Sequence, residues 1–137
     1  MQRARPFAAL LLGGCLAACA VSGEPRGADD EAAIAIDGVV IRNQLAYAVT
    51  DVMIEVPATG AFAGCGTVLQ RSECSNRFGA IDYRAHPMQV SWREHGQRQT
   101  TGEFEPERPD DLQPGRPARV EIIIFSPGQA GARLVQP

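Results

Sequence analysis

The chain has 137 residues, of which 45% are hydrophobic and 21% are charged, and its formal net charge is −3 at pH 7. This length suits one domain with a modest core, and the composition excludes a chain that is disordered throughout. The 13 basic residues are all arginines that stand singly and are outnumbered by 16 acidic residues, so no basic patch can follow a nucleic-acid backbone. We therefore expect no nucleic-acid partner.

The N-terminal segment, residues 1–18, predicts export. Arg3 and Arg5 precede an apolar run over residues 7–18, and small residues lead up to Cys19. This order of charged, apolar and small residues is typical of a secretory signal peptide. A helix of that length would extend about 18 Å, against a hydrocarbon core of roughly 30 Å, so the run does not predict a membrane-spanning helix.

The end of this segment carries a lipidation signal. Leu16-Ala17-Ala18-Cys19 resembles the lipobox of bacterial lipoproteins, in which a branched apolar residue and two small residues precede a cysteine. The resemblance implies cleavage before Cys19, a diacylglycerol on its thiol and an acylated new amine. Leu12-Gly13-Gly14-Cys15 is a second match with a shorter apolar segment, and secretion without lipid is a third alternative.

Lipidation would decide the location of the protein. Two or three acyl chains anchor a protein stably, whereas a single chain binds a membrane only marginally. An aspartate after the lipidated cysteine typically retains a lipoprotein at the inner membrane, and Ala20 stands at that position. The resemblance therefore implies the outer membrane, with the protein facing the periplasm.

Residues 19–32 predict a lipidated, disordered tether. The sequence from residue 20 to residue 32, AVSGEPRGADDEA, is rich in glycine, proline and charge and has no apolar period. As a coil, a tether of this length has an r.m.s. reach of about 20 Å. The folded part can then stand away from the lipid surface.

Residues 33–137 predict one domain of short strands. Apolar and polar residues alternate in Asp51–Val56, Met88–Arg93 and Ala118–Ile124, which is typical of strands with one buried face. A run over residues 34–42 contains Asp37-Gly38, which predicts a bulge or tight turn. The runs are separated by turn signals at Thr59-Gly60, His86-Pro87, His95-Gly96, Pro114-Gly115 and Pro127-Gly128.

Six to eight strands in such a length, without a convincing helical period, predict an all-β fold, an antiparallel β-sandwich. The strand runs Val39–Asn43, Asp51–Val56 and Val90–Trp92 resemble those of immunoglobulin-like or fibronectin-type modules, and the resemblance covers most of residues 33–135. In antibody domains the tryptophan lies between two distant cysteines, whereas Trp92 follows both Cys65 and Cys74. Met88 and Val90 share its face, so we expect Trp92 in the core.

Cys65 and Cys74 predict a disulfide, because an exported chain meets an oxidising compartment. Closing a loop of this size would stabilise the fold by about 2 to 3 kcal/mol. The alternatives are a redox pair, which typically uses a tighter Cys-x-x-Cys, and a zinc site, which needs further ligands.

Other residues are weaker candidates for function. His86 and His95 lie at predicted turns. Each is either a metal ligand or a polar residue that the turn tolerates. The segment Glu103–Pro117 is a binding loop or a solvated connector. A calcium site in it would draw on Glu103, Glu105, Asp110 and Asp111, without the spacing of known calcium loops. Tyr47 and Tyr83 lie in or near predicted loops, where each would either contact a partner or cap the edge of the sandwich.

The sequence carries no nucleophile elbow, zinc-protease motif or phosphate-binding glycine loop. We expect no cofactor, no metal and no catalytic activity. The expected function is that of a lipid-anchored envelope protein with an accessory module that binds a protein partner. The alternatives are a periplasmic lipoprotein that binds a small ligand or metal, and an inhibitor of a cell-wall-degrading enzyme, while a hydrolase is least favoured for want of a nucleophile and base.

Overall fold

The computed structural model describes residues 33–137. The predicted signal segment, residues 1–18, and the predicted tether, residues 19–32 with Cys19, lie outside the described residues. The strands are β1 (Ile34–Asn43), β2 (Val49–Val56), β3 (Ala61–Val68), β4 (Glu73–Tyr83), β5 (Met88–Glu94), β6 (Gln97–Phe104), β7 (Ala118–Ser126) and β8 (Gln129–Val135). Within residues 33–137 there is no helix long and apolar enough to cross a membrane.

The strands form two four-stranded sheets with the orders β4-β1-β7-β8 and β3-β2-β5-β6. The sheets pack face to face, which confirms the predicted β-sandwich. One pair, β1 with β7, is parallel, and the other pairs are antiparallel. The chain reaches β7 from β6 in the opposite sheet through residues 105–117, so no hairpin forces β7 to run against its neighbour.

The strand order can be compared with that of immunoglobulin variable domains. The sheet β3-β2-β5-β6 has the order C′-C-F-G of a variable-type domain, and the neighbours β4 and β1 correspond to E and B. β7 takes the place of strand A beside strand B, but it runs parallel to it. The disulfide of antibody domains joins central strands B and F, so an equivalent here would join β1 to β5.

The core lies between the two inner faces and follows the alternation in the sequence. β5 buries Met88, Val90 and Trp92, and Trp92 is only 1% exposed, as predicted. The other buried apolar side chains include Ile36, Val39 and Ile41 from β1, Val52 and Ile54 from β2, and Val120, Ile122 and Ile124 from β7. Tyr83 differs from its prediction because it is the last residue of β4 and is buried in this core.

β5 and β6 form a hairpin whose turn is His95-Gly96, one of the predicted turns. Both residues have positive φ, 48° and 78°, as a two-residue hairpin turn requires. Glycine accepts this conformation freely. Positive φ is less usual for histidine. The His95 ring packs against Tyr47, with the two ring centroids 4.3 Å apart, and this contact supports the turn.

The long connection, residues 105–117, lies against β8 and the C-terminus. The Glu107 amide donates to the carbonyl of Ala132, and the Leu134 amide donates to the carbonyl of Glu107. The side-chain amide of Gln136 donates to the carbonyls of Gln113 and Arg116. Glu107 thus pairs with the outer edge of β8 and occupies part of that sheet edge.

Candidate functional site

An apolar cleft opens between the edge strands β3 and β4, on one side of the sandwich. Its volume is about 330 Å³. The walls are formed by Ala61, Phe62 and Ala63 from β3 and by Phe78, Gly79 and Ile81 from β4, and the floor is formed by core residues that include Val39, Met88 and Val120. The cleft therefore leads from solvent to the hydrophobic core.

Two features of the sequence open the cleft. Ala63 is paired with the buried Ile54 and so lies on the inner face of β3, where its small side chain leaves space between the sheets. β4 is irregular beside β1, since Ile36 pairs with Ile81 and Gly38 with Arg77, which leaves three β4 residues opposite Asp37 alone. The bulge predicted at Asp37-Gly38 lies on the other side of β1, where these two residues face Arg119 of β7 alone. Ala63 and two residues of the irregular stretch of β4, Phe78 and Gly79, all line the cleft.

The rim of the cleft is hydrophobic. Phe62 is 72% exposed and Ile81 is 43% exposed, so two large apolar side chains stand in water beside the opening. The other large exposed apolar side chains of the described chain, Met53, Leu69 and Phe125, do not line it. Exposed apolar surface that continues into a cavity is typical of a binding site.

The disulfide closes the same side of the sandwich beyond the cleft. The sulfurs of Cys65 on β3 and Cys74 on β4 are bonded, as predicted, and their Cα atoms are 6.6 Å apart. The side-chain amide of Asn76 donates to the carbonyl of Gly64 over 3.3 Å, which adds a second link between the strands. Both links join edge strands of opposite sheets, and they fix the separation of β3 and β4 beside the cleft.

The opposite end of the sandwich holds a buried carboxylate. Glu94, at the end of β5, is 6% exposed. Its Oε1 accepts hydrogen bonds from the Trp92 indole (2.7 Å) and the Gly128 amide (2.9 Å), and its Oε2 accepts one from the Tyr47 hydroxyl (3.0 Å). We call these four residues the Glu94 cluster.

The environment of Glu94 keeps its side chain ionised. Burial alone would raise the pKa of the carboxyl, but the hydrogen bonds from Gly128, Trp92 and Tyr47, together with the nearby charge of His95, hold the pKa below its ordinary value. The Tyr47 hydroxyl shows the reciprocal effect, because burial and the negative charge of Glu94 raise its pKa. The Glu94 cluster joins the loop after β1, strand β5 and the turn after β7. These hydrogen bonds give the buried carboxylate a structural role.

Asn43 has a similar role at this end. Its side-chain amide donates to the carbonyls of Tyr47, Val68 and Leu69, and its Oδ1 accepts from the Leu45 amide. The buried Asn43 side chain therefore holds the loop after β1 against the loop after β3.

The outer face of the sheet β4-β1-β7-β8 carries paired charges. Glu121 on β7 lies between Arg42, whose Nε is 2.7 Å away, and Arg133 on β8. Arg42 also approaches Glu73 on β4, at 3.6 Å. Each of these four side chains has a partner of opposite charge on a neighbouring strand. The ion pairs between strands therefore account for the charges, which indicate no ligand.

The histidines and acidic residues considered as metal ligands are not gathered into a site. His86 precedes β5 and His95 follows it, so the full strand separates them. Among residues 33–137, no group of three or more histidine, cysteine or acidic side chains is arranged to hold a metal ion. That part of the chain therefore offers no geometry for the calcium or zinc alternatives.

Neither the cleft nor the Glu94 cluster was predicted from the sequence. A signal for Glu94 was present, because it continues the inward series Met88, Val90 and Trp92. The cleft had no such signal, since its walls come from strands whose inner residues are small or irregularly placed.

Comparisons with known proteins add little to this picture. No protein-family model and no curated protein matches the chain. A solved structure described as "NMR structure of the protein from Eubacterium rectale" is similar, with a TM-score of 0.45 and 16% sequence identity over 75% of this chain and 90% of that one.

Proposed function

We propose that this protein is a non-catalytic lipoprotein of the bacterial cell envelope, whose β-sandwich binds an apolar group of an envelope partner in the cleft between β3 and β4. The observation that carries the binding role is the continuity of the exposed Phe62 and Ile81 side chains with a cleft that reaches buried core residues. Leaving such surface in water is unfavourable, so an apolar occupant would be stabilised there.

Membrane attachment is supported by the sequence before the domain. We propose Cys19 as the lipidated residue, with the protein anchored in the outer membrane and facing the periplasm. The Cys65–Cys74 disulfide is compatible with this location, because disulfides persist in oxidising compartments such as the periplasm.

Binding is favoured over catalysis by the chemistry of the cleft. Its lining consists of apolar side chains and glycines together with Tyr83, whose hydroxyl donates to the carbonyl of His86 over 2.6 Å. The Glu94 carboxylate lies at the other end of the sandwich, and its hydrogen bonds to its own chain account for it. We therefore assign no catalytic role to either place.

The experiment is in-cell photo-crosslinking from two matched positions. A photoreactive phenylalanine analogue replaces Phe62 at the cleft or, as a control, Phe125, which is 52% exposed and does not line it. We expect a crosslinked envelope component from position 62 only, and its loss when Ala63→Leu fills the cleft. Equal crosslinking from both positions, or crosslinking that survives Ala63→Leu, would refute the binding site.

A companion measurement tests the anchor. The wild-type protein should fractionate with membranes and carry fatty-acid mass on Cys19, whereas Cys19→Ala should release it. An intact chain in the cytosol with its N-terminal segment still attached would refute the proposed location.

A further inference from the structure

We propose that the occupant of the cleft is the hydrocarbon chain of a single free fatty acid, with its carboxylate in water at the mouth. This inference rests on the proposed function and names the class of ligand. The cleft volume of about 330 Å³ lies near the lower end of the range for small-ligand sites. An apolar cavity of roughly 150 Å³ holds one benzene ring, so this cleft has room for about a dozen carbon atoms.

The lining selects a chain without polar groups. The described residues that line the cleft carry no charge, and the Tyr83 hydroxyl already donates to the carbonyl of His86. A peptide segment inserted there would bring backbone N–H and C=O groups that need partners, and burying them unpaired is costly. A hydrocarbon chain has no such groups, and its flexibility suits a gap between two strands.

The position of the cleft favours a lipid source. β1 begins at Ile34, which pairs with Tyr83 in the lining of the cleft. The chain that leads back to Cys19 therefore leaves the domain at the end of the sandwich where the cleft opens. If Cys19 is anchored, the tether predicted for residues 19–32, with an expected r.m.s. reach of about 20 Å, keeps this end close to a bilayer and its fatty acids.

The disulfide makes the cleft a preformed site. The Cys65–Cys74 disulfide and the hydrogen bond from Asn76 to Gly64 fix the separation of β3 and β4 on one side of the cleft, the side toward the opposite end of the sandwich. An acyl chain can then enter without a rearrangement of the sheets, which lowers the cost of binding.

The experiment measures how affinity depends on chain length. The chain from residue 19 to residue 137 with Cys19→Ser retains every described strand and has no lipid of its own to compete. The fluorescent fatty acid cis-parinaric acid serves as the probe, and saturated fatty acids of 8 to 16 carbons displace it below their micelle concentrations. We expect affinity to rise about fourfold per methylene group up to about 12 carbons and then to level off.

Ala63→Leu is the test variant and Ala80→Leu is its control, because residue 80 is exposed on β4 outside the cleft lining. We expect at least a tenfold loss of affinity in the first and no change in the second, with thermal unfolding showing that both are folded. A second test variant, Phe62→Ala at the rim, should weaken binding by severalfold. A lysophosphatidylcholine with a 12-carbon chain should compete at a similar concentration, because the head group stays in water.

Three results would overturn the inference: no displacement by any fatty acid, an affinity that keeps rising from 12 to 16 carbons, or displacement by the lysophosphatidylcholine alone. The outcome is separable from the proposed function. If fatty acids fail to bind while position 62 still crosslinks to an envelope protein in cells, the ligand class is wrong and the binding role stands. If both experiments fail, both proposals fall.

Discussion

The Trp92 indole donates a hydrogen bond of 2.7 Å to the carboxylate of Glu94, two residues along the same strand. Both side chains face the inside of the sandwich, so the indole N–H of Trp92 is paired with a carboxylate that is itself buried. Glu94 in turn accepts from Tyr47 and Gly128, which belong to the loop after β1 and the turn after β7. This carboxylate holds the end of the sandwich opposite the cleft.

Glu94→Gln should destabilise the protein by about 1 to 3 kcal/mol, because the charge that strengthens three hydrogen bonds is lost. Denaturant unfolding at neutral pH measures the difference. Glu55→Gln, at an exposed position on β2, is the control and should change stability little. Equal effects in the two variants would contradict the role of the Glu94 cluster.

The contribution of Glu94 should also depend on pH in one direction. The folded protein holds the pKa of Glu94 below its value in the unfolded chain, so the stabilisation is complete above about pH 4.5. It is lost as the pH falls below that value and through the folded-state pKa. The stability difference between wild type and Glu94→Gln should therefore shrink at acid pH, and a difference that grows on acidification would contradict this account.

Gly64→Ala should be strongly destabilising, by 2 kcal/mol or more, or should prevent folding. A Cβ atom there would lie 2.1 Å from the carbonyl oxygen of Val52, which is backbone and cannot move aside. Gly66→Ala, two residues along the same strand, meets nothing within 4 Å and should lie within about 0.5 kcal/mol of wild type. Thermal unfolding measures the stability of both variants. Similar melting temperatures would show that β3 at Gly64 does not lie this close to the backbone of β2.

Cys65→Ser with Cys74→Ser should lower the free energy of unfolding by about 2 to 3 kcal/mol, the value for closing a loop of about ten residues. Denaturant unfolding of the oxidised wild type and of the double variant measures it. A reducing agent should bring the wild type to the stability of the double variant and leave the latter unchanged. If reduction does not change the wild type, the disulfide has no stabilising role.

Asn43→Ala should cost about 2 to 3 kcal/mol, because it leaves buried carbonyls of two loops without their donor. Asn76→Ala removes a single exposed hydrogen bond and should cost well under 1 kcal/mol. Comparing both free energies of unfolding tests whether Asn43 joins the loops. A smaller loss in Asn43→Ala than in Asn76→Ala would refute it.

The sequence predicts the strands whose inner residues are large and apolar. β2, β5 and β7 follow the alternation closely, and the hairpin turn at His95-Gly96 lies where glycine predicts it. β3 and β4 were not predicted individually, because their inner positions include Ala61, Ala63 and the cysteines, which give no apolar period. Alternation identifies a strand only when its buried face is hydrophobic.

Pairing between distant strands was beyond the sequence. The parallel contact of β1 with β7 is set by the route of residues 105–117 from one sheet to the other, and no local pattern encodes it. The cleft has the same origin, since it arises where a strand with small inner residues faces an irregular strand across two sheets. The disulfide was predictable because the N-terminal segment predicts export to an oxidising compartment, where two cysteines at this spacing favour a disulfide.

The most direct test of the binding site is an NMR titration of the ¹⁵N-labelled chain from residue 19 to residue 137, carrying Cys19→Ser, with the 12-carbon fatty acid dodecanoate. We expect saturable amide shifts in residues 61–63 of β3 and in Phe78, Gly79 and Ile81 of β4, at the walls of the cleft, and unchanged signals at His95 and Gly128 at the opposite end. No shifts, or shifts centred on the Glu94 cluster, would contradict the assignment of the cleft as the site that binds an apolar group.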